Sequence, residues 1–183
     1  EQLLDMSRSS SCHLSTTLSG NTVAGNVILS TLLFFKADFR SSKHYSELAM
    51  KQSSDLIGLG PDSLDARLLH AQVKMHRVKF ETPDEAIKVL RSLVCELLEN
   101  ASTSGQFRQI FIFSLLHQVQ LVCDETFEKD ECLDMVSRQT CLMAVDRAQQ
   151  IIQEMSKEDP FNINLVRILR PLSRGVRATL SLA

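Results

Sequence analysis

Histidine and cysteine are the side chains through which this chain could most readily do chemistry, and it holds five of each. A zinc site needs ligands spaced to share a helix face or a turn, as in His-Glu-x-x-His or Cys-x-x-Cys. Neither pattern occurs. His70 and His76 stand six residues apart, on different faces of a helix, and Cys12, Cys95, Cys123, Cys132 and Cys141 form no such pair. No metal and no cofactor is therefore expected. His117 sits in a strongly apolar run and reads as a core imidazole, with His13 and His44 the remaining two. Cys123 and Cys132 flank an acidic stretch, but nothing in the sequence places a base beside either thiol, so neither reads as an activated nucleophile. An odd number of cysteines, several on apolar positions, points to reduced, buried thiols of an intracellular protein, cytoplasmic or nuclear.

The acidic stretch Asp124 to Asp134 superficially matches a calcium loop, yet Lys129 stands where the central glycine belongs and Met135 where the bidentate glutamate belongs. It reads as a solvated inter-helix loop leading into an acid-rich helix start. There is no Gly-rich phosphate loop and no Gly-x-Ser-x-Gly elbow. Asn100-Ala101-Ser102 fits a glycosylation triplet by chance. The chain is accordingly expected to be non-enzymatic.

Charge narrows the partners. A net charge of -2 gives no overall basic field, which disfavours nucleic-acid binding by the whole surface. The local exception is Arg167, Arg170, Arg174 and Arg177, at i, i+3, i+7 and i+10, with no acid after Asp159. These arginines form either a solvated face of a terminal helix or a contact for an acidic protein, nucleic-acid phosphates or an anionic membrane. Of the contacts, the acidic protein ranks first, because no aromatic residue after Phe161 offers a base-stacking platform. The uninterrupted apolar run Leu32 to Phe35 is too short to cross a bilayer.

These side chains need helices to carry them. In a chain of 183 residues, 44% hydrophobic, one substantial core is expected. Residues 1–22, rich in serine and threonine, read as a flexible lead or cap, and 23–183 as a single helical domain. A first residue of Glu1 suggests a fragment. Apolar spacing predicts helices near 23–36, 40–57, 62–80, 84–100, 105–123, 128–156 and 160–181. The fourth is one-sided: Ala86, Leu90, Leu93 and Leu97 form its stripe, broadened by Ile87, Val94 and Leu98. Thr82-Pro83-Asp84-Glu85 marks its start, as Pro61-Asp62-Ser63 and Asp159-Pro160 mark two others. The fifth is apolar all round and should be enclosed by neighbours; in the last, Pro171 and Gly175 should kink or weaken the helix.

Ala37-Asp38-Phe39 followed by Ser42, Tyr45 and Ala49 resembles the turn and second helix of a tetratricopeptide repeat. In that family a small-Asp-aromatic turn precedes a helix with small residues at the crossing. Asp84 to Leu90 repeats the pattern, with Ala86 matching Ser42 and Leu93 matching Ala49, both 44 residues on. The family repeat is about 34 residues, so these units would be longer hairpins. No third copy follows, since the next offset falls on Asp130.

The resemblance implies an all-α fold of antiparallel hairpins, stacked as a solenoid or closed as a compact bundle. It also implies a scaffold or adaptor that binds a peptide or a subunit of a larger complex on first-helix surfaces. Arg67, His70, Lys74 and Arg77 would line that groove. The positions where chaperone-binding members carry Lys and Asn hold Ser30 and Phe34, which argues against a carboxylate clamp. The alternative is a nucleic-acid or membrane accessory domain that uses the arginine-rich last helix.

Overall fold

The computed structural model describes residues 20–59, 64–98, 105–129, 131–158 and 163–183. Every regular element among them is a helix, as the 3.6-residue periodicity requires. The chain forms two compact units, residues 1–80 and 81–183.

The first unit holds α1 (20–35), α2 (Phe39–Leu59), α3 (Leu64–Arg77) and a short 3-10 turn, Val78–Phe80. The predicted lead over 1–22 lies outside the described residues except for 20–22, which are helical. Helix α1 ends in a Schellman turn: the Asp38 N–H reaches the Leu33 carbonyl at 3.0 Å and the Ala37 N–H the Phe34 carbonyl at 3.0 Å. Closing this turn holds Ala37 at φ 60°, a left-handed position that costs a residue with a Cβ about 1 kcal/mol. Asp38 then caps α2, its carboxylate accepting the Ser41 N–H at 3.1 Å. Those hydrogen bonds from Ser41 hold the Asp38 carboxyl below its usual range.

Helix α2 turns a row of small residues inward. Ser42, Ser46, Ala49 and Ser53 are all buried, and with Leu56 they recur at helical spacing. Val23, Ala49, Leu56 and Val73 make the core of this unit, with Val27, Met50, Ala66 and Leu69 packed around them. Asn26 bonds Gln52 and Ser30 bonds Ser42, so α1 and α2 run antiparallel.

The second unit holds α4 (Pro83–Leu98), α5 (Gly105–Glu128), α6 (Met135–Glu158) and α7 (Ile163–Leu182). Helix α5 packs against α4, α6 and α7, and α6 against α7. That explains its all-round apolar sequence: Phe107, Ile110, Phe111, Ile112, Leu115, Leu116 and Val119 are buried. On α4 the stripe Ala86, Leu90, Leu93 and Leu97 is buried as expected, with Ile87 beside it. Leu98, expected to broaden the stripe, is exposed in the last turn.

Two helix ends differ from expectation. Asp124 to Glu128 continue α5 rather than forming a loop, because Thr126 is buried on its inner side and Lys129 pairs with Glu125 one turn back. Helix α6 starts at Met135, seven residues later than predicted, because Asp134 is its cap. The Asp134 carboxylate accepts the Val136 and Ser137 N–H groups at 2.9 and 3.0 Å. In α7 a single helix runs through Pro171 and Gly175. Both are exposed, so the carbonyl that Pro171 leaves without its helical donor opens to water.

Candidate functional site

One polar network in the first unit joins Ser30 of α1, Ser42 of α2 and His76 of α3. The Ser30 hydroxyl donates to the Ser42 carbonyl at 2.7 Å, and the Ser42 hydroxyl donates to the Ser30 carbonyl at 2.6 Å. His76 Nε2 lies 2.9 Å from Ser30 Oγ. The one hydroxyl proton of Ser30 is already taken by Ser42, so Nε2–H is the donor and Nδ1 carries the lone pair. A serine nucleophile needs the opposite arrangement, with its own proton facing the imidazole. Ser30 is also fully buried, out of reach of a substrate. The pair is a structural tie of α1 and α2 to α3.

Around it Phe34 meets Phe39 and Phe80 edge-on, with centroids 5.3 and 5.9 Å apart, and the Lys79 ammonium sits 4.6 Å over the Phe34 ring. Burial, with the nearby Lys79 charge, pushes His76 down to about 4. Burial alone pulls the Lys79 ammonium below its usual value.

The residues predicted to line a groove on α3 are not grouped as free donors. His70 is tied to Ser53, Nδ1 to Oγ 2.9 Å, and Lys74 and Arg77 are half-buried, while Arg67 is exposed. All four take part in polar or charged contacts within the chain.

The arginines of α7 are brought together. Arg167, Arg170, Arg174 and Arg177 are all exposed along one flank, where α7 runs antiparallel to α6. Arg177 Nη1 donates to Asp146 at 2.6 Å and to Gln149 at 3.2 Å, and Arg170 Nη2 donates to Ser156 at 3.2 Å. Between these contacts lies a cleft of about 140 Å³ lined by Gln149, Ile152, Gln153, Arg170, Ser173 and Arg174. The arginine spacing was visible in the sequence. Gln149 and Gln153 were not singled out, although their i, i+4 spacing matches that of Arg170 and Arg174.

An apolar surface was also missed. Ile28, Leu32 and Phe35 form one face of α1 and are 61%, 54% and 82% exposed, with Phe39 beside them in sequence at 56%. Its signal was the absence of any Lys, Arg, Asp or Glu between Arg8 and Lys36.

Cys123 and Cys141 are buried, and burial pushes the Cys123 thiol up to about 11 and raises Cys141 as well. Cys95 and Cys132 are exposed. In a Cys12→Ser background, a maleimide at neutral pH is expected to label Cys95 and Cys132 at least about a hundredfold faster than Cys123 and Cys141. Mass spectrometry of timed digests reads this, and equal rates would show that the α5–α6 core opens freely. His117 is half-buried and held below its usual value, chiefly by burial, against an opposing pull from Asp124.

Among the described residues no group of three His, Cys, Asp or Glu side chains could hold a metal, and no helix is long and apolar enough to cross a membrane. Comparison with protein-family models, curated protein sequences and solved structures found no match.

Proposed function

We propose that this chain is a non-enzymatic interaction scaffold that docks a protein partner on the outer face of α1. The single observation behind this reading is the uncharged stripe of Ile28, Leu32 and Phe35, exposed at spacing that one amphipathic partner can cover. A helix buries its apolar side when a neighbour is available, and this one keeps three large side chains in water. Desolvating them on a partner would supply the favourable free energy of association, with Phe35 as the aromatic anchor.

In this reading the helices stack as longer hairpins of tetratricopeptide type. Support comes from Ser42 and Ala49 on α2 and from Ala86 on α4, all buried small residues at the positions the resemblance assigns to helix crossings. Use of the arginine-rich helix on nucleic acid or membrane is the second reading, and it draws on the four arginines of α7.

The test places a photo-crosslinking residue at position 28, 32 or 35 and identifies the protein bound in cell extract. A variant with Ile28→Gln, Leu32→Gln and Phe35→Gln should retain wild-type helicity, since glutamine is a good helix former and the sites are exposed. It is expected to retain at most about a tenth of the partner captured by wild type. Equal capture by both forms would refute docking on α1.

A further inference from the structure

Along the α6–α7 seam, two rows of side chains face each other with the same spacing. Asp146, Gln149, Gln153 and Ser156 on α6 repeat at i, i+3, i+7 and i+10, as do Arg167, Arg170, Arg174 and Arg177 on α7. Arg177 with Asp146 and Arg170 with Ser156 fix the antiparallel register. Asp146 is the only carboxylate in the two rows, and Arg177 takes it. Glu154, on the same helix, accepts the Gln150 amide instead.

The cleft between these contacts is rich in donors and has no acid in its lining. Arg174 has no partner among the described residues, and neither has Arg167 at the end of the row. Gln149 accepts from Arg177 through its carbonyl oxygen, which leaves its amide N–H₂ as the remaining donor. The Gln153 side chain makes no hydrogen bond among the described residues. Ser173 gives its proton to the Arg170 carbonyl at 3.0 Å, and its hydroxyl is not a donor to the cleft. Two guanidinium groups and two carboxamides thus surround a space floored by the buried side chain of Ile152.

We infer that this cleft is a docking site for an acidic polypeptide segment, one of whose carboxylates enters between Arg170 and Arg174. The planar guanidinium fork matches a carboxylate bidentately, and such charge-assisted pairs are about twice as strong as neutral ones. The Ile152 floor suits the methylenes of a glutamate side chain. From Arg167 to Arg174 the row spans about 10 Å of helix, enough for further carboxylates at helical spacing. A nucleic acid fits less well, since no aromatic side chain lines the cleft for stacking and the chain carries a net charge of -2. The site belongs to residues 81–183 and stands independently of the α1 stripe in residues 1–80.

The test uses the full chain and follows the side-chain N–H signals of Arg170, Arg174, Gln149 and Gln153 by NMR. The probes are a synthetic helical peptide with glutamates at i, i+4 and i+7, the same peptide with glutamine in their place, inorganic phosphate, and single-stranded DNA of matched charge. The glutamate peptide is expected to shift all four side chains saturably, and the glutamine peptide to leave them unmoved. Arg170→Gln with Arg174→Gln should weaken binding at least about tenfold, and raising salt should weaken it in wild type. Arg147→Gln, on an outward position of α6 bonded to Gln150, should bind as wild type does. Circular dichroism of the double variant, both of whose sites are exposed, should match wild type. Equal shifts from the glutamate and glutamine peptides, or unchanged affinity in the folded double variant, would overturn the assignment. So would saturation by phosphate or DNA at lower concentration than the acidic peptide, which would make the ligand a phosphate instead.

Discussion

Ala86→Arg is expected to destabilise residues 81–183 by about 3 kcal/mol or more, enough to lower the melting midpoint by about 10 °C. Ala86 is buried in the first turn of α4, on the same face as Leu90, Leu93 and Leu97. A guanidinium there would either lose its hydration without a partner or prise α4 from α5 to reach water. It would also add a cation where the helix dipole favours the acids Asp84 and Glu85. Ala86→Leu separates size from charge, since overpacking alone costs about 1–3 kcal/mol. Amide exchange should quicken through α4 and α5 in the arginine variant. A midpoint within about 2 °C of wild type would show that Ala86 does not sit at a close helix crossing.

Acid should loosen the first unit through His76. Its folded value of about 4 lies below the ordinary 6.5, so the sign is fixed: the unfolded chain takes up a proton over this interval that the folded chain does not. Stability is full above about pH 6.5, falls as pH drops towards about 4, and levels off below. The full interval corresponds to about 3 kcal/mol. Because the ring is only partly enclosed, an effect of about 2 kcal/mol is expected after allowing for solvent screening.

The cause is burial first and the Lys79 charge second, in a site where Ser30 already receives the Nε2 proton. The measurement is amide exchange of α1–α3 or denaturant unfolding between pH 7 and 4, for wild type and His76→Gln. Glutamine can keep a donor towards Ser30 but cannot titrate, so its profile should lose the slope across this window. An unchanged slope would assign the acid sensitivity to other groups.

What the sequence determined by itself is local. Helical class follows from apolar spacing, and the stripe Ala86, Leu90, Leu93 and Leu97 could be read directly, because a helix face is set by residues three and four apart. The enclosure of α5 was legible for the same reason. The turn at Ala37-Asp38 was legible too, since its bonds span only a few residues.

Tertiary structure decided the rest. The serines at 30 and 42 look like ordinary polar helix residues until His76, 46 residues from Ser30, closes the network. Asp124 to Glu128 read as loop from their charge, but the burial of Thr126 extends α5 through them. The arginines of α7 showed a shared flank in their spacing; only the antiparallel register of α6 gave Arg177 a carboxylate and Arg170 a hydroxyl, and left Arg174 without a partner among the described residues. Ile28, Leu32 and Phe35 would pass for core by composition, and their exposure depends on which neighbours the fold supplies. Periodicity says which side chains share a face. What that face meets depends on contacts between residues far apart in the chain, and no local pattern encodes them.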